Sequence, residues 1–267
     1  MKKVFVLYIA IALFYSCKQE EKEEFRNIIL GDTICTPSGL KYIFLKEGNG
    51  RPIHLKSKVE AYMDLYINES DSIYWSTSTE EDSIFRFIHG VTFMIKGFEE
   101  LNNYLIEGDE VTAILPDSIA YGREGGNGMP AAATLIYNPL IIKKVSKPKR
   151  LISDTLQIII TKEGSQAAID FYSKTINSDL KEEFHTDTEL IFNLLDSLMV
   201  KEFYQETEKL SQYFEKTNNN DFELQTFAYY EMLGLEEQGK VNDAMLIVDE
   251  QLNRESHWEW WNDKKTN

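Results

Sequence analysis

The apolar positions of this chain keep a period of about two up to residue 146 and a period near 3.6 beyond it. In the first stretch Leu40-Lys41-Tyr42-Ile43-Phe44-Leu45 reads as a strand, ended by Gly48-Asn49-Gly50. From Val59 to Ile67 the alternation is clean. Val59, Ala61, Met63, Leu65 and Ile67 fall on one face and Glu60, Tyr62, Asp64 and Tyr66 on the other, which predicts a half-buried antiparallel strand. Phe98, Leu101 and Leu105 fall at helical spacing, so a short helix can lay that stripe across the sheet. Pro116 to Ile142 then reads as the end of a strand, a glycine-rich excursion and a returning strand. Tyr121 sits at the lip of the first strand; Gly122, Gly125, Gly126 and Gly128 permit positive φ, and Met129-Pro130 closes the loop. The class these patterns predict over residues 36–146 is α+β, a twisted antiparallel sheet wrapped over one short helix with an apolar cavity between them.

Lys147-Pro148-Lys149-Arg150 marks a boundary, with a linker expected over 147–153. Gly and Pro nearly vanish afterwards. Helices are expected over Ser165–Thr175, Thr188–Met199, Glu202–Lys216, Phe222–Gln238 and Asn242–Asn253, in an all-α unit spanning 154–255, with Asn218-Asn219-Asn220-Asp221 as a cap-rich break. Residues 256–267 form an aromatic and polar tail, His257-Trp258-Glu259-Trp260-Trp261, which either docks on this chain or marks a contact site.

The N-terminus carries Lys2-Lys3, an apolar run from Val4 to Tyr15, and Ser16-Cys17. Twelve apolar residues fall short of the ~20 that span a bilayer, but they suit the apolar region of a secretory signal. Residues 1–17 are therefore expected to be a signal peptide. The charged stretch from Lys18 to Glu24 opens a solvated tether expected over 18–35. A formal charge of −16 disfavours nucleic acid as a partner, because nothing would neutralise phosphates. It disfavours adhesion to anionic lipid for the same reason. His54, His89, His185 and His257 lack metal-ligand spacing, and no phosphate loop or nucleophile elbow occurs, so neither metal nor cofactor is expected.

Four segments in one order carry a resemblance. They are Ile84-Phe85-Arg86-Phe87-Ile88-His89-Gly90, Met94-Ile95-Lys96-Gly97-Phe98, Glu107-Gly108-Asp109-Glu110-Val111, and Ala120-Tyr121-Gly122 running on to Pro130 and Ala133-Thr134-Leu135. Together they resemble the FKBP-type peptidyl-prolyl cis-trans isomerases. The resemblance implies an apolar site for an X-Pro segment, with Tyr121 as hydrogen-bond donor to the substrate carbonyl and Phe98 as the floor under the proline ring. It further implies Tyr74, Phe85, Met94, Ile95 and Tyr137 as walls and Met129 in the covering loop. Phe87, Ile95, Leu101 and Leu135 also have a plain core reading. Trp75 stands where the family has an acidic residue, and Met63, on the apolar face of its strand, takes the place of a family aromatic. Cys17 after the apolar run resembles a lipobox, which implies acylation of Cys17. The acidic stretch after it resembles the export signal of some Bacteroidetes-type lipoproteins. Tyr229 to Leu252, through Leu235, Gly239 and Ala244, resembles one tetratricopeptide unit; a plain helical bundle fits as well. The function implied is an envelope-located, lipid-anchored isomerase acting on proline-containing segments of exported proteins. The helical unit would offer a site to a protein partner. The rival is a binding module with the same cavity and little turnover.

Overall fold

The structure is a computed structural model describing residues 26, 28–68, 70–79 and 82–253. The signal peptide, Cys17 and the aromatic tail lie outside the described residues.

The first unit is a sheet built from β1 (Thr33–Cys35), β2 (Lys41–Lys46), β3 (Lys58–Ile67), β4 (Trp75–Ser76), β5 (Phe85–Ile88), β6 (Glu110–Leu115) and β7 (Leu135–Val145). The spatial order is β1-β2-β6-β7-β3-β4, with β5 also on β3, and every pairing is antiparallel. The alternation read from Val59 to Ile67 holds in β3 as far as Met63. Val59, Ala61, Met63 and Leu65 are buried, but Asp64 is buried as well, where it accepts hydrogen bonds from Ser76 and Tyr62, and Ile67 is half-buried. Val59, Ala61, Met63 and Leu65 meet Tyr42 and Phe44 of β2, Val111 and Ala113 of β6, and Leu135, Leu140 and Ile142 of β7 in one core. Helix α1 (Lys96–Asn102) covers it with Phe98 and Leu101. Gly97 allows the close approach, since a Cβ there would lie 2.8 Å from side-chain atoms of Leu115 and Ile119. Pro139, inside the central strand β7, falls where the ladders to β3 and β6 both shift register, so its missing N–H removes no regular bond. The α+β class expected from the pattern is the class observed.

The expected tether does not run to residue 35. Thr33–Cys35 pairs with Lys41–Ile43, because the turn between them returns the chain onto an open sheet edge. Further back, Arg26 forms a two-pronged ion pair with Asp109, 3.1 and 2.8 Å long. Asp109 is fully buried and also accepts the backbone N–H groups of Gly48 and Ile106 at 2.8 Å.

The second unit holds α2 (Ile152–Glu163), α3 (Ser165–Ile176), α4 (Thr188–Val200), α5 (Tyr204–Thr217), α6 (Asp221–Glu237) and α7 (Val241–Asn253). The sequence pattern predicts no helix over 152–163. Ile152, Leu156 and Ile160, one turn apart, face the helical core and hold this segment as α2 against the β-branched run Ile158-Ile159-Ile160. The expected linker is also shorter, since Arg150–Leu151 (β8) pairs in parallel with Phe184–His185 (β9). Gly234 brings α6 against the start of α5, where an added Cβ would meet the Tyr204 carbonyl at 2.8 Å.

The two units meet at the turn leading into β3. The His185 ring donates from Nε2 to the Lys56 carbonyl (2.8 Å), Lys56 pairs with Asp154 (3.3 Å) and Lys58 pairs with Asp187. Burial pushes the His185 imidazole below its usual range. Ile88 and Val91, in and just after β5, pack into the helical core rather than the sheet core.

Two stability predictions arise here. Asp109→Ala leaves Arg26 unpaired and two backbone donors unsatisfied, so urea unfolding should show a loss of about 3 kcal/mol. Glu231, 6% exposed on α6, has its carboxyl pushed up to about 7 by burial and by Glu215 and Glu208, although it accepts a hydrogen bond from Gln212. An unfolded-chain glutamate titrates near ~4.3. Between that value and about 7 the unfolded state releases a proton that the folded state keeps, so this group lowers stability as pH rises through the window. Glu231→Gln should raise the melting temperature at pH ~8 and change it little at pH ~4.

Candidate functional site

Five aromatic rings cross the inner face of the sheet in contact. Trp75 meets Phe85 edge-on (centroids 6.1 Å), Phe85 meets Phe87 (5.7 Å), Phe87 meets Phe98 (5.5 Å) and Phe98 meets Tyr137 (5.4 Å). The row follows from the register. β5 lies along the lower half of β3 and β4 along its upper half, so Phe85 opposite Ala61 and Trp75 opposite Leu65 become neighbours. Phe98 reaches the row from α1 and Tyr137 from β7.

Met63, Phe98 and Tyr137 are buried in the sheet core. Trp75, Phe85, Met94, Ile95, Tyr121 and Met129 are half-buried and pack against it from its edge. The sheet core and the side chains packed against it thus include nine of the ten residues expected at the site. Tyr74 is the exception. It is 48% exposed and outside this cluster, and its phenol donates to the Gly128 carbonyl at 3.0 Å. Tyr74 lies just before β4, and its hydroxyl reaches the hairpin that carries Met129, so it stands against the loop and outside the sheet core.

Tyr121 also stands differently from the expectation. Strand β6 stops at Leu115, and Pro116 with a 3-10 turn over Asp117–Ile119 carries the chain onward, so the phenol lies past the strand, not on its lip. The turn is closed by Gly122 N–H donating to the Asp117 carbonyl at 2.8 Å. Tyr121 lies near Tyr137, whose hydroxyl is pushed up, chiefly by burial and further by Tyr121. Tyr137 therefore stays a neutral phenol throughout the physiological range. The phenols of Tyr62, Tyr74 and Tyr230 donate to Asp64, Gly128 and Asp196. That of Tyr121 makes no hydrogen bond to any described residue, which leaves a donor at the edge of an apolar surface.

Sequence reasoning missed the form of the loop after Tyr121. Gly126 and Met129 exchange backbone hydrogen bonds of 3.1 and 2.9 Å, with Asn127 at φ 51° and Gly128 at φ 79° between them. This is a two-residue hairpin with positive φ at both central positions, the arrangement an Asn-Gly pair favours. The Asn127-Gly128 dipeptide is the signal that could have found it. The second strand segment sets Met129 against the sheet core.

Nothing in this surface is acidic, basic or arranged for metal, and among the described residues no group of three His, Cys, Asp or Glu could hold a metal ion. It can desolvate an apolar group and offer a hydrogen bond. A separate groove of about 580 Å³ lies where the two units meet, lined by Lys58, Lys149, Lys181, Glu182, His185 and Asp187 among others. Its charged walls retain water, so it does not suit the same chemistry.

Residues 51–139 match the family model described as FKBP-type peptidyl-prolyl cis-trans isomerase. FkpA, named as an isomerase of that type, from Buchnera aphidicola (Acyrthosiphon pisum) is 29% identical over 108 residues, covering 39% of this chain and 41% of that protein. The human peptidyl-prolyl cis-trans isomerase FKBP7 is 24% identical over 188 residues, covering 68% of this chain and 77% of that protein. The crystal structure of Escherichia coli FkpA is 21% identical, covering 43% of this chain and 52% of that one, with a TM-score of 0.39. The chain spans about half the length or less of the bacterial relatives it matches. The match runs from Arg51, ahead of β3, to Pro139, within β7, and takes in β3 to β6, α1 and the loop of Tyr121, with β1 and β2 outside it.

Proposed function

We propose that the sheet unit, an FKBP-type domain over residues 51–139, is a peptidyl-prolyl cis-trans isomerase whose site is the aromatic surface beneath Tyr121. Rotation about an X-Pro bond is slow because amide resonance holds it planar, with a barrier of ~18–20 kcal/mol. At the twisted geometry that resonance is lost and the carbonyl oxygen carries less charge. An apolar, water-poor surface therefore disfavours the planar amide relative to the twisted one. Phe98, Tyr137 and Met63 supply that surface under the proline ring, and Trp75, Phe85, Ile95 and Met94 flank it. The unpaired Tyr121 phenol is the observation that carries this reading: it can grip the carbonyl of the residue before proline and fix its orientation. No proton is transferred and no covalent intermediate forms.

A second reading has one observation in its favour. Trp75 places an indole against Phe85 at the edge of the site, which adds apolar contact for a bound segment without favouring the twisted amide over the planar one. The same surface would then hold proline-containing segments with little turnover.

NMR exchange on an X-Pro peptide separates the two. The full chain should interconvert the isomers well faster than the tens to hundreds of seconds of the free bond. Tyr121→Phe should lower kcat/KM about tenfold, chiefly through KM. Peptide binding with exchange no faster than in buffer would establish the second reading, and a gain in rate on Trp75→Asp would assign the deficit to the indole.

We also infer that the protein acts in the bacterial envelope on exported polypeptides, held to a membrane through acylated Cys17. The charged, apolar and cysteine-terminated leader supports this. Cells expressing the full chain and fed labelled palmitate should incorporate label into the protein, and Cys17→Ser should abolish it. Equal label in both would remove the anchor.

A further inference from the structure

The loop that follows Tyr121 is tied to the rest of the molecule by few contacts, and one of them is unusual. Between Gly122 and Ala132 the loop bonds mainly to itself: Gly125 N–H to the Gly122 carbonyl, the Gly126–Met129 pair, and Ala132 N–H to the Arg123 carbonyl. Two side chains join it to the sheet. Met129 seats on the sheet core from within the loop, and from outside the Tyr74 phenol donates to the Gly128 carbonyl at 3.0 Å. Tyr74 is itself fixed, because its backbone N–H donates to the Leu65 carbonyl of β3 at 2.8 Å.

The topology gives this bond its meaning. The loop leaves β6 and returns as β7, yet its hairpin tip is bonded to the residue just before β4, on the far side of β3. The tip therefore spans the upper ends of β7 and β3, beside the aromatic row. Both partners of the bond are exposed, so water competes for it and its net strength is modest. Such a contact biases a loop between two positions without locking it.

We propose that Tyr74 is a positioning residue that latches the Asn127-Gly128 hairpin over the aromatic surface, holding the loop in the form that receives a polypeptide. This rests on the isomerase reading for its consequence in turnover, though not for the latch itself. When the competent form is only partly populated, apparent affinity falls by that fraction. Loss of the latch therefore weakens substrate binding more than it slows the bound substrate.

The test compares the full chain with Tyr74→Phe, which keeps the ring and removes only the hydroxyl. Arg123 is exposed at the base of the hairpin and gives trypsin a bond to cut there. Native-state cleavage after Arg123, normalised to cleavage within α2–α7, should rise about threefold or more in the variant. With a Leu-Pro tetrapeptide, KM should rise about threefold to tenfold and kcat should change less. Equal normalised cleavage, or a rise shared by all sites, overturns the latch. An unchanged KM in an active enzyme overturns its role in binding. If neither protein accelerates exchange, the isomerase reading fails while the cleavage ratio still decides the latch.

Discussion

Strand β3 is bonded along both edges, to β7 on one side and to β5 and β4 on the other, and its inner face is buried from Val59 to Leu65. A one-residue slip would turn Val59, Ala61, Met63 and Leu65 outward together, so its register is fixed by the core. Everything functional inherits that register. It sets Phe85 and Trp75 in one row, fixes Tyr74 through the Leu65 carbonyl, and places the Lys56 and Lys58 contacts to the helical unit at the strand's entry. Site and inter-unit contact thus both depend on β3 and on the turn that leads into it.

The segment after β5 shows how the two units share material. Ile88 and Val91 belong to the helical core, whereas Met94 and Ile95 pack on the sheet core. A stretch of eight residues spanning these positions is thus held at one end by helices and at the other by the sheet. One wall of the site is stiffened from behind, while the hairpin opposite is held by one half-buried side chain and one exposed hydrogen bond. The proposed uptake of a polypeptide needs both, since a rigid floor without a movable cover admits solvent and a wholly rigid cover admits no chain.

Alternation made most of β3 legible, and helical spacing revealed α3 to α7 to within a few residues, because a buried face repeats at the period of most of these elements; α6, buried on more than one side between two cores, was marked instead by the cap-rich break before it. Local signals failed where tertiary contact decided. The tripeptide Thr33–Cys35 has no pattern of its own and is a strand only because β2 offers an edge. Helix α2 contains a run of three isoleucines that reads equally as strand, and burial at Ile152, Leu156 and Ile160 settles it. At the site, residue types announced apolar side chains, but not the hydrogen bond from Tyr74 to the Gly128 carbonyl. That contact depends on what the fold sets across from Tyr74, which is not carried by neighbouring letters.

In the proposed isomerase site the residues do different physical work. A hydrogen bond from Tyr121 to the substrate carbonyl is strongest when that oxygen carries most charge, which is in the planar amide, so by itself it orients the substrate and does not lower the barrier. The aromatic floor acts in the opposite sense, withdrawing water from a planar, polar amide and losing less when the amide twists. Trp75 contributes apolar contact at the edge, away from the bond that rotates, and binds both geometries alike. Turnover in this site therefore depends on how completely Phe98, Tyr137 and Met63 desolvate the amide, and Tyr121 serves to bring it there.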